Sequence, residues 1–214
     1  MSETSTPVTA EHFKYLAERT IRDDAFLLDL KAGARAEGIP PIWISVEQGS
    51  FIQILLTAAR VKDIVEIGTL AGYSAVRMAR ALPPDGHVRT IEISSLHADF
   101  AERWISHSDV ANKIDVIRGN ASEILPTFMA GSADAVFIDA DKESYPIYLR
   151  ESMRIVRRGG LVLADNAFGF GRLFDASDIG ASFMRSFNDI VAKESGLRSI
   201  IVPMGDGLWV GLRV

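Results

Sequence analysis

The sequence predicts an α/β fold in which a mostly parallel sheet is covered by helices on both faces. From residue 63 onward, short β-rich runs alternate with segments of helical spacing, and this alternation favours right-handed crossovers and parallel strands. The last two β-rich runs differ, because the Gly-Asp-Gly turn between them predicts a hairpin and therefore an antiparallel edge. A chain of 214 residues with 48% hydrophobic content is expected to fold as one domain over residues 1–214.

Residues 1–44 are predicted to form an N-terminal helical segment and a loop. Apolar residues recur at helical intervals over 11–37, and the charged residues 22–24 allow a break. Gly38-Ile39-Pro40-Pro41 ends the pattern, since proline cannot continue a helix. Ser45 and Gln48 then have the form of a capping box, which opens a helix ending near Arg60 and begins the predicted core, residues 45–214.

The core is predicted to contain seven strands with helices between them. The predicted strands are 63–67, 87–93, 114–118, 134–139, 160–165, 199–202 and 208–212. The predicted helices lie near 72–82, 95–109, 121–129, 145–157 and 178–195. The strand signal is a short apolar run rich in β-branched residues, and the helix signal is apolar spacing of three and four residues.

The turn after the first predicted strand is the first candidate binding site. Glu66 lies at the end of that strand, and Gly68 and Gly72 lie in the loop before the next helix. Glycines at this place let the backbone approach a ligand closely, although the spacing is not the G-x-G-x-x-G of dinucleotide-binding proteins. Glu92 lies at the end of the second strand, about 20 residues further on, where a carboxylate can bind ribose hydroxyls. Together the two features predict a cofactor that carries a nucleoside.

Composition narrows the class of protein. The net charge is −5 and no long basic cluster is present, so a nucleic-acid partner has little support. No apolar stretch approaches the roughly 20 residues of a membrane helix, and the polar N-terminus does not have the form of a secretory signal. Cysteine is absent, which excludes disulfides and thiolate metal sites. A cytoplasmic protein without a membrane partner is therefore expected.

Oxygen-bearing side chains follow two further apolar strands. Asp139 ends the run 134–139, and Asp165 and Asn166 lie at the end of the run 160–165. If these strands are neighbours in a parallel sheet, the three side chains point into one crevice. Two carboxylates and one amide oxygen, without Cys or His, favour Mg²⁺ or Ca²⁺ over Zn²⁺. Either aspartate alone is better explained as a helix cap, but the pair at adjacent strand ends favours a metal.

Lys142, three residues after Asp139, is a candidate general base. A single loop lysine is usually a solvated charge, but a nearby divalent cation disfavours its ammonium form and makes the amine available as a base. Aromatic residues close to these motifs are candidate walls for a planar substrate, although aromatic residues more often belong to the core. They are Trp43, Tyr145, Tyr148, Phe168 and Phe170.

These motifs resemble those of the cation-dependent O-methyltransferases of the catechol and caffeoyl-coenzyme A type. The resemblance depends on Glu66–Ser74, Asp139–Lys142 and Asp165-Asn166, in this order and spacing, and extends from about Ile42 to the C-terminus. Further matching segments are Ser45–Phe51, Phe187-Asn188 and Pro203–Gly207. The resemblance implies a Rossmann-like methyltransferase fold, transfer of a methyl group from S-adenosylmethionine to a phenolic vicinal diol, and a homodimer.

The resemblance also implies roles for individual positions. The residues implied to bind S-adenosylmethionine are Ile44, Glu66, Gly68, Thr69, Tyr73, Ser74, Glu92, Ala121, Asp139 and Asp141. The implied metal ligands are Asp139, Asp165 and Asn166, for Mg²⁺ or alternatively Mn²⁺ or Ca²⁺, and the implied catalytic residues are Lys142, Asp139 and Asn166. Lys142 would remove the proton from the hydroxyl group that attacks the sulfonium methyl group in line.

Two positions depart from the family pattern, and two other functions compete with methyl transfer. Gln48 replaces an acidic residue, and Gly169 lies where the family commonly has tryptophan, which leaves the shape of the acceptor open. A free catechol, a coenzyme A thioester and a flavonoid all remain compatible. The competing functions are a nicotinamide-dependent oxidoreductase, which the glycine spacing disfavours, and a non-catalytic cofactor-binding module, which would have no need of Asp139, Lys142, Asp165 and Asn166 together.

Overall fold

A seven-stranded sheet forms the centre of the computed structural model, which describes residues 7–214. The strands are β1 (Asp63–Ile67), β2 (His87–Glu92), β3 (Ile114–Arg118), β4 (Ala133–Ile138), β5 (Val156–Ala164), β6 (Leu197–Val202) and β7 (Leu208–Arg213). Their order is β3-β2-β1-β4-β5-β7-β6. Strands β1 to β5 pair in parallel, whereas β7 is antiparallel to both β5 and β6. The predicted parallel sheet and its C-terminal hairpin are confirmed.

Eight α-helices surround the sheet in residues 7–214. They are α1 (Ala10–Ala17), α2 (Ala25–Ala36), α3 (Val46–Ala58), α4 (Tyr73–Ala81), α5 (Ser95–Ile105), α6 (Ala121–Ile124), α7 (Tyr145–Ile155) and α8 (Ile179–Lys193). Within the described range, no helix combines the length and the apolar character needed to cross a bilayer. Residues 1–6 of the predicted N-terminal segment lie outside the described range.

Several predicted boundaries differ from the structure for local reasons. The pattern over 11–37 is two helices, since the Asp24 carboxylate accepts a hydrogen bond from the Leu27 amide and starts α2. The predicted helix 121–129 ends at Ile124 and continues as a short 3₁₀ turn, Leu125–Thr127. Strand β5 begins at Val156, within the range predicted as helix, because its first residue already pairs with Ala133 of β4.

Two apolar layers cover the two faces of the sheet. Alternate side chains of β1 point to opposite faces, so that Ile64 packs in one layer and Val65 in the other. The first layer is completed by α2 to α5 and the second by α6 to α8. In the second layer, the rings of Tyr145 and Phe187 meet edge to face at 5.0 Å between centroids.

The strand order reverses between β1 and β4, and this reversal positions the site. Ligands of open α/β sheets bind at such a point, beyond the carboxyl ends of the strands. The two strand ends are very close, since a Cβ atom built on Gly68 would lie 2.1 Å from the carbonyl oxygen of Asp139. Gly68 also has a φ of +98°, in the left-handed region, so a glycine is needed here on both grounds.

Candidate active site

A cavity of about 590 Å³ opens beyond the carboxyl ends of β1, β2 and β4. Its volume is in the range of small-molecule sites. Most of the predicted site residues line it, namely Ile44, Gly68, Thr69, Tyr73, Ser74, Glu92, Ala121, Asp139, Asp141, Lys142 and Asn166. Glu66 and Asp165 do not line the cavity and lie buried behind its wall. The fold therefore brings most of the candidate cofactor, metal and base positions to one crevice, whereas the expectation that Asp165 lines the same crevice as Asp139 and Asn166 is not met.

Glu92 organises the loop after β1. One oxygen of its carboxylate accepts hydrogen bonds from the backbone amides of Thr69, at 3.1 Å, and Leu70, at 2.8 Å. The other oxygen accepts one from the amide of Ser94 at 2.9 Å. Leu70 has a φ of +49°, so this backbone is held in a conformation that non-glycine residues adopt infrequently. Glu92 thus shapes the loop in addition to its predicted contact with a ribose.

Glu66 contacts the cavity lining through Ser74. The Ser74 hydroxyl donates to one Glu66 oxygen at 2.5 Å, while the other oxygen is buried without a hydrogen-bond partner. Burial raises the pKa of Glu66 to about 8, and the neighbouring Asp139 and Glu92 charges act in the same direction. The predicted contact of Glu66 with the methionine part of a cofactor would therefore involve Ser74.

Tyr73 is connected to the N-terminal segment by a buried network of charges. Its hydroxyl donates to Asp23 at 2.8 Å, and the same carboxylate binds Arg77 at 2.9 Å and Lys31 at 2.6 Å. The Lys31 ammonium group also lies 3.8 Å from the centroid of the Tyr73 ring. Asp23 therefore connects the segment before α2 to the first turn of α4, which borders the cavity.

The predicted metal ligands follow neighbouring strands, as expected. Asp139 comes directly after β4, and Asp165 and Asn166 follow β5, its parallel partner. Asp165 accepts a hydrogen bond from the Gln48 side chain at 2.7 Å. Burial and the nearby Asp139 charge raise the pKa of Asp165 to about 7, and burial raises the pKa of Asp139 as well. A buried carboxylate and a cavity-lining carboxylate on neighbouring strand ends are a suitable environment for a cation.

The third predicted donor is an amide oxygen with no partner. Asn166 has a φ of +63° and donates through its side-chain nitrogen to Asp206 at 3.1 Å, while its buried Oδ1 accepts no hydrogen bond. Within residues 7–214, no three His, Cys, Asp or Glu side chains form a metal cluster. The predicted ligand set contains only two carboxylates, so a third oxygen donor is needed. The buried Oδ1 of Asn166 has no hydrogen-bond partner and can serve as this donor, and the three residues therefore fit a hard cation.

Lys142 lies between a carboxylate and aromatic rings at the cavity edge. Its ammonium nitrogen is 3.3 Å from Asp139 Oδ1 and donates to the Tyr145 hydroxyl at 2.6 Å. It also lies 5.6 Å from the centroid of the Phe170 ring. This position is within reach of a hydroxyl group bound beside Asp139.

Three of the five candidate aromatic residues line the cavity: Trp43, Tyr148 and Phe170. Tyr148 also donates to Asp141 at 2.6 Å. Tyr145 belongs to the core, and the Phe168 ring packs against Gly207, where a Cβ atom would lie 2.9 Å from it. The cavity therefore has aromatic walls on the loops after α2 and after β5.

The sequence did not indicate the residues that hydrogen-bond to the predicted site residues. No role was predicted for Asp23 or for Asp206, although Asp206 lies in the matching segment Pro203–Gly207. The hydrogen bond from Gln48 to Asp165 was not predicted either, although Gln48 forms the predicted capping box with Ser45. Gln48 and Asp165 are 117 positions apart, and Asn166 and Asp206 are 40 apart, so no local pattern indicates either pair. Leu70 and His97 also line the cavity and were not assigned to the site, although Leu70 lies in the predicted glycine loop and His97 at the start of a predicted helix.

Comparisons with known proteins agree with this architecture. The sequence model of a family described as O-methyltransferase matches residues 17–214. A catechol O-methyltransferase of Niastella koreensis is 36% identical over 85% of this chain and 84% of its own, and one of Mycobacterium tuberculosis is 34% identical over 92% and 90%. Among solved structures, the O-methyltransferase TomG of Streptomyces achromogenes in complex with SAM has a TM-score of 0.83 at 30% identity, covering 94% of this chain and 95% of its own. An O-methyltransferase of Bacillus cereus in complex with SAH has a TM-score of 0.86 at 28% identity, covering 94% and 96%.

Proposed function

Since the chain belongs to the O-methyltransferase family, we propose that it transfers a methyl group from S-adenosylmethionine to one hydroxyl of a catechol-like vicinal diol, with the help of a divalent cation. One observation carries the cation-dependent part of this proposal. The buried oxygen of Asn166 has no hydrogen-bond partner, and it belongs to the same pair of neighbouring strand ends as the buried carboxylate of Asp165 and the cavity-lining carboxylate of Asp139. The family match favours methyl transfer over the nicotinamide-dependent alternative.

The cavity wall proposed to bind S-adenosylmethionine contains the carboxylate of Glu92 and the backbone of the loop after β1. Glu92 would accept hydrogen bonds from the ribose hydroxyls, beside the loop it already holds. Ala121, in the first turn of α6, would flank the adenine, and Ser74 and Tyr73 would border the methionine part. The SAM- and SAH-bound structures of the similar TomG and Bacillus cereus proteins support the choice of S-adenosylmethionine as the cofactor.

Asp139, Asp165 and Asn166 would hold the divalent cation, for which Mg²⁺ is the first choice and Mn²⁺ and Ca²⁺ are alternatives. Such a cation, when bound, acidifies a phenol and orients both oxygens of a diol. The protein supplies three oxygen donors from two strand ends, which leaves room in a six-oxygen shell for other ligands. Gln48 supports Asp165 by donating a hydrogen bond without adding a negative charge.

Lys142 would act as the general base. In its neutral form, the amine would take the proton of the attacking hydroxyl, and the resulting ammonium group would be stabilised by Asp139 at 3.3 Å. The hydroxyl oxygen then forms a bond to the methyl carbon as the carbon–sulfur bond breaks. Holding the two reactants in line can contribute several kcal/mol, up to about 7–11 in favourable cases.

The acceptor is proposed to be a planar phenolic vicinal diol. Trp43 and Phe170 border the cavity, and Phe170 is 58% exposed, so its ring is available to cover a bound substrate. Gly169, where the family commonly has tryptophan, does not line the cavity, and a Cβ atom there would lie 3.4 Å from Ala181, so Phe170 and Trp43 are the aromatic residues proposed to contact the acceptor. We also propose a homodimer, for which light scattering after size-exclusion chromatography is the test.

Methyl transfer from labelled S-adenosylmethionine to a panel of phenols tests the proposal. Catechol, caffeate and a catechol-bearing flavonoid should be methylated with Mg²⁺ and should lose methylation with EDTA. The matched monophenols should react poorly because they offer one oxygen. Transfer that is insensitive to chelator, or equal for diols and monophenols, would refute the cation-dependent part. Binding of S-adenosylmethionine without any transfer would favour the non-catalytic module.

A further inference from the structure

The Gly205-Asp206-Gly207 turn of the C-terminal hairpin lies directly behind the predicted metal ligands. A Cβ atom on Gly205 would lie 2.1 Å from the Gln48 side chain, and one on Gly207 would lie 2.9 Å from the Phe168 ring. Both glycines have positive φ values, +56° and +79°. The turn therefore fits closely between the residue that holds Asp165 and the loop that follows Asn166, which explains its small residues.

Asp206 accepts three hydrogen bonds from the segment after β5. The side chain of Asn166 and the amide of Phe170 donate to one carboxylate oxygen, at 3.1 and 2.7 Å. The amide of Gly171 donates to the other at 3.1 Å. Backbone bonds add to this attachment, since the Phe168 amide donates to the carbonyl of Asp206 at 2.8 Å. One side chain thus holds both a predicted metal ligand and the loop that carries an aromatic wall of the cavity.

The chemistry of this contact decides which way the Asn166 amide points. An ionised carboxylate can only accept hydrogen bonds, so the nitrogen of the amide must face Asp206 and the oxygen must face away. The oxygen that faces away is the buried Oδ1 without a partner. Without Asp206, the amide could turn over and present its nitrogen, which cannot bind a cation.

We propose that Asp206 is a positioning residue, which orients the Asn166 oxygen as a metal ligand and fixes the Phe170 loop against the acceptor. This inference rests on the cation site proposed above. The hairpin turn would thus contribute to cation affinity by orienting Asn166, whereas Gln48 of the capping box contacts Asp165. Asp206 does not line the cavity and touches the reacting atoms only through Asn166 and the loop.

Direct measurement of Mn²⁺ binding to the full chain tests the proposal. The dissociation constants of Mn²⁺ and, separately, of S-adenosylhomocysteine without metal would be measured by calorimetry for the wild type, Asp206→Asn and Asp206→Glu. Loss of a residue that orients a metal ligand weakens metal binding by about 10- to 100-fold. Both variants should show this loss while binding S-adenosylhomocysteine within about threefold of wild type, since the positioning acts on the cation and not on the fold.

The two variants separate orientation from charge. Asp206→Glu keeps the negative charge but moves the carboxylate, so a purely electrostatic role predicts wild-type Mn²⁺ affinity for this variant. Asp175→Asn is the matched control, because Asp175 is an exposed carboxylate of the same loop whose side chain accepts hydrogen bonds from the amide and hydroxyl of Ser177 and not from Asn166. It should leave Mn²⁺ binding unchanged.

The outcomes distinguish this inference from the proposed function. Wild-type Mn²⁺ affinity in Asp206→Asn or Asp206→Glu overturns the positioning role and leaves the cation site intact. An equal loss of Mn²⁺ and S-adenosylhomocysteine binding also overturns it, since that result indicates a general structural role. Absence of Mn²⁺ binding in the wild type overturns the cation site itself, and the inference with it.

Discussion

Replacing Asp23 by asparagine should destabilise the protein strongly, because this carboxylate neutralises two buried cations. The Asp23 side chain is only 3% exposed, and those of its partners Lys31 and Arg77 are 10% and 6% exposed. Removing one member of a buried charge network leaves uncompensated charge in a medium of low polarity, at about 3–5 kcal/mol. At roughly 2–4 °C per kcal/mol for a chain of this size, the melting temperature should fall by about 6–20 °C.

Thermal and urea unfolding followed by circular dichroism would measure the effect. Asp29→Asn is the matched control, since Asp29 is exposed on α2 and loses the same charge, and it should stay within about 0.5 kcal/mol of wild type. Tyr73→Phe should have an intermediate effect, because it removes the hydrogen bond that the hydroxyl donates to Asp23 and the one that it accepts from Arg77, but no charge. An Asp23→Asn variant as stable as Asp29→Asn would refute the reasoning that this network attaches the N-terminal segment to the cofactor loop.

Three further predictions concern the site itself. Lys142→Ala should lower kcat by about 10²–10⁴, and Asp165→Ala at saturating Mg²⁺ should lower it further; steady-state kinetics showing the reverse ranking would contradict the proposed division of roles. The pKa of Glu66 is raised from its ordinary value of 4.5 to about 8, so between these pH values the folded state keeps a proton that the unfolded state releases. In the metal-free protein, the free energy of unfolding should therefore fall as the pH rises from about 4.5 to about 8. Glu66→Gln should flatten the pH dependence of the melting temperature over that window, and an unchanged slope would count against the buried carboxylate. Gly68→Ala should be destabilising by at least about 1–3 kcal/mol and should weaken S-adenosylmethionine binding, because its Cβ would meet Asp139. Gly131→Ala, where a Cβ meets nothing within 4 Å, is the control for positive φ alone, and equal effects in both variants would exclude the steric argument.

The fold and most of the assigned site residues were predictable because their signals are local. A buried parallel strand is a short apolar run, and the polar residue that follows it lies at the edge of the sheet where ligands bind. Asp139 and Asn166 could therefore be assigned to one crevice once their strands were taken as neighbours, and the pairing of β4 with β5 confirms that step. The boundary of β5 was less predictable, since its first residues are Val156, two arginines and two glycines.

The supporting residues could not be predicted because they depend on contacts distant in sequence. Asp23 is in a polar stretch that the sequence marks only as a break between helices, yet its partner Arg77 is 54 positions away. Asn188 was part of a recognised motif, but its role is seen only in the structure. Its side chain donates to the Ala167 carbonyl at 2.9 Å and accepts from Trp209 at 2.6 Å, which connects α8 to β7 and to the loop after Asn166.

Diffraction from crystals soaked with Mn²⁺ and S-adenosylhomocysteine tests the central claim most directly, because manganese can be located by its anomalous signal. The account predicts one strong anomalous peak, coordinated by oxygens of Asp139, Asp165 and Asn166 and adjacent to the sulfur of the bound nucleoside. Clear density for S-adenosylhomocysteine with no anomalous peak at these three residues, or with the peak at another group of side chains, would contradict it.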